Sequence, residues 1–242
     1  MAHSSSRICK GLLDSKPLNC WCVLRMQPDL FLKIPVMTAA ATDTIPLFPL
    51  SHGVFPDGML QLQIFEVRYL DLIKRCHREQ KPFGVAWLQQ GSEVQVPGEQ
   101  PRMHTHGCLA HIREFEQVQP ALLRILCQGG LRFELHDVKP GAYGVWQGSV
   151  TYMPQDPPVE MPPDWQLHAD RLGKWIRTAQ QQGLQDRLPL FAPYHLDECG
   201  WVANRFAEVL PMEPEQKLQL MLETDPVKRM AAVVGFLSEE EG

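Results

Sequence analysis

Between Ile45 and Tyr152 apolar residues recur with a period of two, and after Pro163 they recur with a period close to that of an α-helix. Alternation suits strands buried on one face, whereas i, i+3, i+4, i+7 spacing suits helices with one apolar stripe. The clearest strand is Met59–Ile64, where Leu60, Leu62 and Ile64 alternate with Gln61 and Gln63. Ile45–Leu50 is apolar but broken by Pro46 and Pro49, which reads as an edge or barrel-rim strand. Phe83–Leu88, Cys108–Ile112, Ala121–Cys127, Leu131–Leu135 and Val145–Tyr152 continue the series, with a turn near Gln119–Pro120. One helix interrupts it over Val67–Gln80, with Val67, Leu70, Ile73 and Cys76 at helical spacing.

Five prolines in Pro154–Pro163 read as a linker. Beyond it, Trp165, Ala169, Leu172, Ile176 and Ala179 mark the face of a helix ending near Gly183. Asp197 is a candidate cap for a helix whose face is Val202, Phe206, Val209 and Leu210. Leu218, Met221 and Leu222 mark a short helix. Asp225-Pro226 then combines a capping side chain with proline at the first helical position, ahead of Val227, Met230, Ala231, Val234 and Leu237. The expected organisation is α+β: a β domain over 45–155 and a helical subdomain over 156–242. Residues 1–44 are expected to be a disordered extension, or an upstream mis-start with Met37 as the true beginning. Leu12–Leu13 is too short an apolar core for a signal peptide.

The composition excludes several function classes. A 242-residue chain that is 44% hydrophobic and 21% charged can build a core without staples. Its net charge of −5 makes it a poor phosphate binder, so nucleic acid is not an expected partner. No run of about 18 apolar residues marks a membrane span. Seven cysteines without a CxxC pair suit the reduced, buried thiols of a cytoplasmic protein. There is no GxxxxGK[ST], GxGxxG or GxSxG, so no cofactor is expected. His104, His106 and His111, with Cys108, form the one dense set of metal-ligand types. Without a carboxylate at ligand spacing, polar histidines beside a buried cysteine are the simpler reading, and a metal-dependent hydrolase the alternative. Glu66 and Arg68 flank the start of the first helix, as an ion pair at a barrel corner or as a ligand anchor.

An ordered series of segments adds a family signal. Ile45-Pro-Leu-Phe-Pro-Leu50, Val54-Phe55-Pro56 and Leu62-Gln-Ile-Phe-Glu-Val-Arg-Tyr69 resemble the opening of the Lon protease N-terminal domain, with Phe65, Glu66, Arg68 and Tyr69 as its most specific stretch. Lys81-Pro-Phe-Gly84, Gly107-Cys-Leu-Ala-His-Ile112, Gly130-Leu-Arg-Phe133 and the helical segments Trp201–Leu210, Glu215–Glu223 and Val227–Leu237 continue the resemblance in register; Gly130, Arg132 and Phe133 mark its strand-opening turn. Val67 stands where the family usually has proline, and Cys108 where it has threonine.

The resemblance implies a PUA-like β pseudo-barrel followed by a C-terminal α-helical bundle. It also implies a substrate-recognition domain without catalytic residues, because the ATPase and Ser–Lys protease modules of full Lon proteases have no counterpart in these residues. The implied partners are unfolded or tagged protein segments, with a protease or chaperone as a further partner. For such a grip the candidates are Phe55, Trp87, Tyr143 and Trp146, expected at the seam between the halves beside the strand Ile45–Leu50. An RNA-binding PUA-like protein is a further alternative, disfavoured by charge.

Overall fold

Two long strands carry the β half of this computed structural model, which describes residues 42–94, 96, 98, 100–184 and 188–240. The expected extension therefore lies almost wholly outside the described residues. β4 (Arg102–Gln119) and β5 (Leu122–Pro140) form one antiparallel hairpin about the turn at Gln119–Pro120. Around it lie β1 (Asp43–Leu50), β2 (Met59–Ile64), α1 (Val67–Glu79), β3 (Phe83–Gln90) and β6 (Trp146–Tyr152). The sheet order is β2-β5-β4-β3-β1-β6, and β5 also pairs with β6. Strands β5, β4, β3, β1 and β6 thus close into a ring. The hairpin end of β4–β5 extends beyond that ring and carries β2 on its outer side.

β5 merges two stretches that the sequence suggests as separate strands. Gly129 lies at the bend: its N–H donates to Gly58 O and its C=O accepts from Asp57 N–H, both at 2.9 Å. A Cβ there would stand 1.9 Å from Phe55 O, so only glycine lets the two backbones meet.

The sequence expectation of an edge strand at Ile45–Leu50 is corrected. β1 is internal, parallel to β3 over Leu47–Leu50 and antiparallel to β6 over Asp43–Leu47. Its partner changes at Leu47. Pro46 lies outside the β3-paired stretch and Pro49 outside the β6-paired stretch, which is how an internal strand accommodates two residues without N–H groups. Ile45, Leu47, Ala86, Leu109, Phe133, Leu135 and Val150 fill the ring. Its outer wall shares a second core with α1, β2 and the helices, through Val85, Cys108, Ala110, Ala207, Met221 and Val233.

The helical half comprises α2 (Gln166–Gln181), α3 (Cys199–Val209), α4 (Pro214–Leu222) and α5 (Pro226–Glu240). α3 is its centre, with Cys199 through Arg205 and Ala207 buried. The expected Asp197 cap is corrected, because α3 starts after Glu198 and Asp197 instead accepts Met161 N–H through its carbonyl (2.8 Å). The α5 start is as read: Asp225 Oδ1 accepts from Val227 N–H at 2.9 Å, with Pro226 in the first turn. Val67, read as part of the buried face of α1, is 75% exposed, while Tyr69, Leu70, Leu72, Ile73 and Cys76 are buried. No helix among the described residues is long and apolar enough to cross a membrane.

Candidate functional site

The seam between the halves is built on buried charge. Arg132, from β5, is 3% exposed and reaches across to the C-terminal end of α4, where Nη1 donates to Met221 O (2.8 Å) and Glu223 O (3.2 Å). Arg229, from α5, is 1% exposed and donates to Leu220 O (2.9 Å), Asn204 Oδ1 (2.9 Å) and Glu223 O. Asp156, within the proline-rich segment, takes both cations: Oδ1 pairs with Arg132 and Oδ2 lies 2.6 Å from Arg229 Nη1. The same segment is held by Met153 N–H on Arg132 O and by Cys199 N–H on Val159 O, both at 2.8 Å.

Nearby, Arg205 donates to Pro56 O (2.6 Å), and its Nε lies 3.2 Å from Glu208 Oε2. Burial pushes the Glu208 carboxyl up to about 7, against the opposing pull of Arg205 and the Phe55 N–H. These groups stiffen the junction. The cleft left there holds about 330 Å³ and is lined by polar groups, including Asp57, His111, Glu198 and Asn204, with Trp201 as its one aromatic.

None of the four sequence-predicted aromatics lines this cleft. Phe55 and Trp87 are 1% and 2% exposed, core residues beneath the outer wall of the ring, so in this structure they present no area to a peptide. Trp146 is half-buried against the ring interior. Tyr143, at 87% exposure, stands free on the β5–β6 turn with a left-handed backbone (φ 59°). The histidines do not converge either. His104 Nε2 lies 3.5 Å from Glu215, His106 faces Glu134 across the ladder, and His111 packs on Gly130. No group of three or more potential metal ligands occurs among the described residues.

The family-specific residues do meet, at the corner between β2 and α1. Glu66 Oε2 accepts from Arg68 Nε at 3.0 Å, and Arg68 Nη1 donates to Gly144 O at 3.2 Å, tying α1 to the Tyr143 turn. The Arg68 guanidinium also lies 4.4 Å from the Tyr69 ring centroid, and that ring stacks on Phe48 at 4.0 Å. The Tyr69 hydroxyl is buried with no hydrogen-bond partner, and desolvation pushes it up to about 12.

β2 pairs with β5 on one side only, and its other side borders a groove of about 190 Å³ lined by Leu50, Leu62, Phe65, Tyr69 and Val94 among others. Phe65 (57%), Val67, Val94 and Tyr143 are exposed around this corner. Sequence reasoning singled out Phe65 and Tyr69 as family markers but missed the open edge of β2. The signal was present in the Gln61/Gln63 alternation, which leaves one face of a short strand polar. Asp156, Arg205, Glu208 and Arg229 were also missed. Arg205 and Arg229 stand beside apolar helical positions, and that is the signal that could have found them.

The comparisons agree with this architecture. A Lon N-terminal domain protein from Xanthomonas campestris is 27% identical, with 80% of this chain and 98% of that one aligned at a TM-score of 0.61. The N-terminal domain of a Mycobacterium avium complex Lon protease aligns over 81% of this chain and 98% of its own length, at 15% identity and a TM-score of 0.51, which speaks for the fold alone. No curated protein matches. Residues 44–239 match the ATP-dependent protease La (LON) substrate-binding domain. That match spans the ring, the charged seam and all the helices, and the chain belongs to this family.

Proposed function

We propose that this chain is a non-catalytic capture module for extended segments of unfolded or tagged proteins, and that it grips them at the open edge of β2. The observation that carries the reading is the coincidence of an unpaired strand edge, a groove beside it, and exposed Phe65, Val67, Val94 and Tyr143 at the same corner. An extended peptide added to β2 gains main-chain hydrogen bonds independent of its sequence, while alternate side chains enter the apolar groove. Such a mode suits partners that share exposed backbone rather than a motif. The Tyr69 hydroxyl, without a partner inside the protein, is a donor at the groove lining.

The non-catalytic part of the reading is supported by the thiols. Cys76 is pushed up by burial to about 11, and Cys108 and Cys127 to about 12, far from the thiolate a nucleophile needs. Reduced, buried cysteines also suit a cytoplasmic location. Delivery of the captured segment to a protease or chaperone is the adaptor role this grip serves.

The test is fluorescence anisotropy of a labelled, permanently unfolded apolar peptide titrated with the full chain. Phe65→Ser and Tyr143→Ser are each expected to weaken binding about tenfold with an unchanged melting temperature, since both side chains are exposed. Equal affinity in both variants contradicts the placement at this corner.

A further inference from the structure

The helical half is acidic, with thirteen acidic and eight basic residues in 161–242, yet its accessible cations are concentrated in one place. Among the described residues of this half, Arg205 and Arg229 are buried and Lys217 is half-buried. The exposed cations are Arg171, Lys174, Arg177 and Lys228, and three of the four lie on α2. The helix has one carboxylate, Asp170, whose Oδ1 accepts from Gln166 Nε2 at 3.1 Å.

Apolar groups occupy the same outward face. Leu167 (59% exposed) and Trp175 (42% exposed) are eight residues apart, with Arg171 midway between them, so all three fall on one stripe, which Lys174 and Thr178 complete. The opposite face of the helix is fixed. Ala169, Leu172, Gly173, Ile176 and Ala179 are buried, and a Cβ on Gly173 would stand 3.0 Å from Leu196 Cδ1. The stripe is therefore presented by a rigid support that needs no rearrangement to bind.

We propose that the outer face of α2 docks an acidic segment of a partner protein that carries aliphatic or aromatic side chains. Trp and Arg are the residue types that anchor interfaces, because they bury large area or paired charge at low entropic cost. Two apolar anchors separated by cations call for apolar side chains separated by carboxylates. A cationic segment is repelled here, and an uncharged apolar one leaves three cations partly desolvated without counter-charges. This surface differs in composition from the β2 corner, where the exposed groups are apolar and Arg68 is already paired with Glu66. The two surfaces together give the chain one face for a captured segment and another for a partner.

The experiment uses the full chain and a labelled synthetic peptide in which glutamates alternate with leucine and phenylalanine, followed by anisotropy at low and physiological salt. Binding is expected to weaken about tenfold or more with Trp175→Ala. The Lys174→Glu/Arg177→Glu double variant is expected to weaken it about tenfold at low salt and to flatten its salt dependence. Phe65→Ser is expected to leave it unchanged, which separates this surface from the capture site. All of these positions are exposed, and a thermal melt of each variant verifies folding. Failure of the peptide to bind overturns the proposal, as does an affinity indifferent to both α2 changes. Equal binding of a glutamine-for-glutamate peptide removes the charge argument. Competition by anionic phospholipid vesicles that depends on the same residues assigns the face to a lipid surface instead.

Discussion

Replacing Asp156 by alanine is expected to lower the unfolding free energy by about 3 kcal/mol, the largest loss from any single carboxylate in the chain. This side chain neutralises two buried guanidiniums that come from opposite halves of the molecule, Arg132 on β5 and Arg229 on α5. Removing it leaves both cations buried and facing each other, and truncating one partner of a buried pair costs about 3–5 kcal/mol. The lower end applies because both arginines keep carbonyl partners at Met221, Leu220 and Glu223. Asp156→Asn retains an acceptor for one arginine and is expected to lose roughly half as much. Thermal denaturation reads the difference: for a domain of this size, about 3 kcal/mol is a fall of about 6–12 °C in Tm. A Tm within a degree or two of the parent in Asp156→Ala would mean that the seam is held by apolar contact alone.

The second large effect is expected inside the ring. Phe133 is completely buried there and lies directly across the ladder from Gly107. A Cβ on Gly107 would meet the Phe133 ring at 2.4 Å and Val85 O at 2.3 Å, and one on Gly84 would meet Phe133 Cζ at 3.1 Å. The ring is thus a small barrel in which one large side chain fills the room that inward-facing glycines leave. Phe133→Ala is expected to cost about 3–5 kcal/mol, combining lost burial with a cavity that a closed ladder cannot collapse around. Gly84→Ala separates packing from backbone effects. Its other close neighbours are side-chain atoms of Ile45 and Leu47, so in the Phe133→Ala background it should recover part of the loss, whereas in the parent it should destabilise. Gly107→Ala is expected to fail as a rescue because it also meets the β3 backbone. Chemical denaturation of the four single and double variants measures the coupling, and strict additivity for Gly84 and Phe133 would contradict the shared-space account.

These contacts mark what could be read in the chain. Met59–Ile64 was legible to the residue, because Leu60, Leu62 and Ile64 alternate with glutamines on a strand that is polar on one face. The α5 start was legible because Asp225-Pro226 caps through local bonds. β1 was misread because proline content reports the absence of an N–H, not which side of a strand lacks a partner. The partner switch at Leu47 depends on residues about forty and a hundred positions away. Phe55 and Trp87 are aromatic for packing rather than contact, and only the folded chain distinguishes the two. Arg132 carried a family signal, but its counter-charge sits in a proline-rich stretch that reads as a tether. The charge pairing that clamps this stretch joins residues 24 and 73 apart in sequence. No local pattern encodes such separations.

Amide hydrogen exchange of the full chain, with and without a saturating concentration of the permanently unfolded apolar peptide, asks most directly where an extended segment lies. Capture at the β2 edge predicts that the amides of Met59–Ile64 that do not bond to β5 slow strongly on peptide addition, together with those around Phe65 and Val94. Unchanged exchange along β2, with slowing confined to the seam cleft around Trp201 or to the outer face of α2, would contradict it.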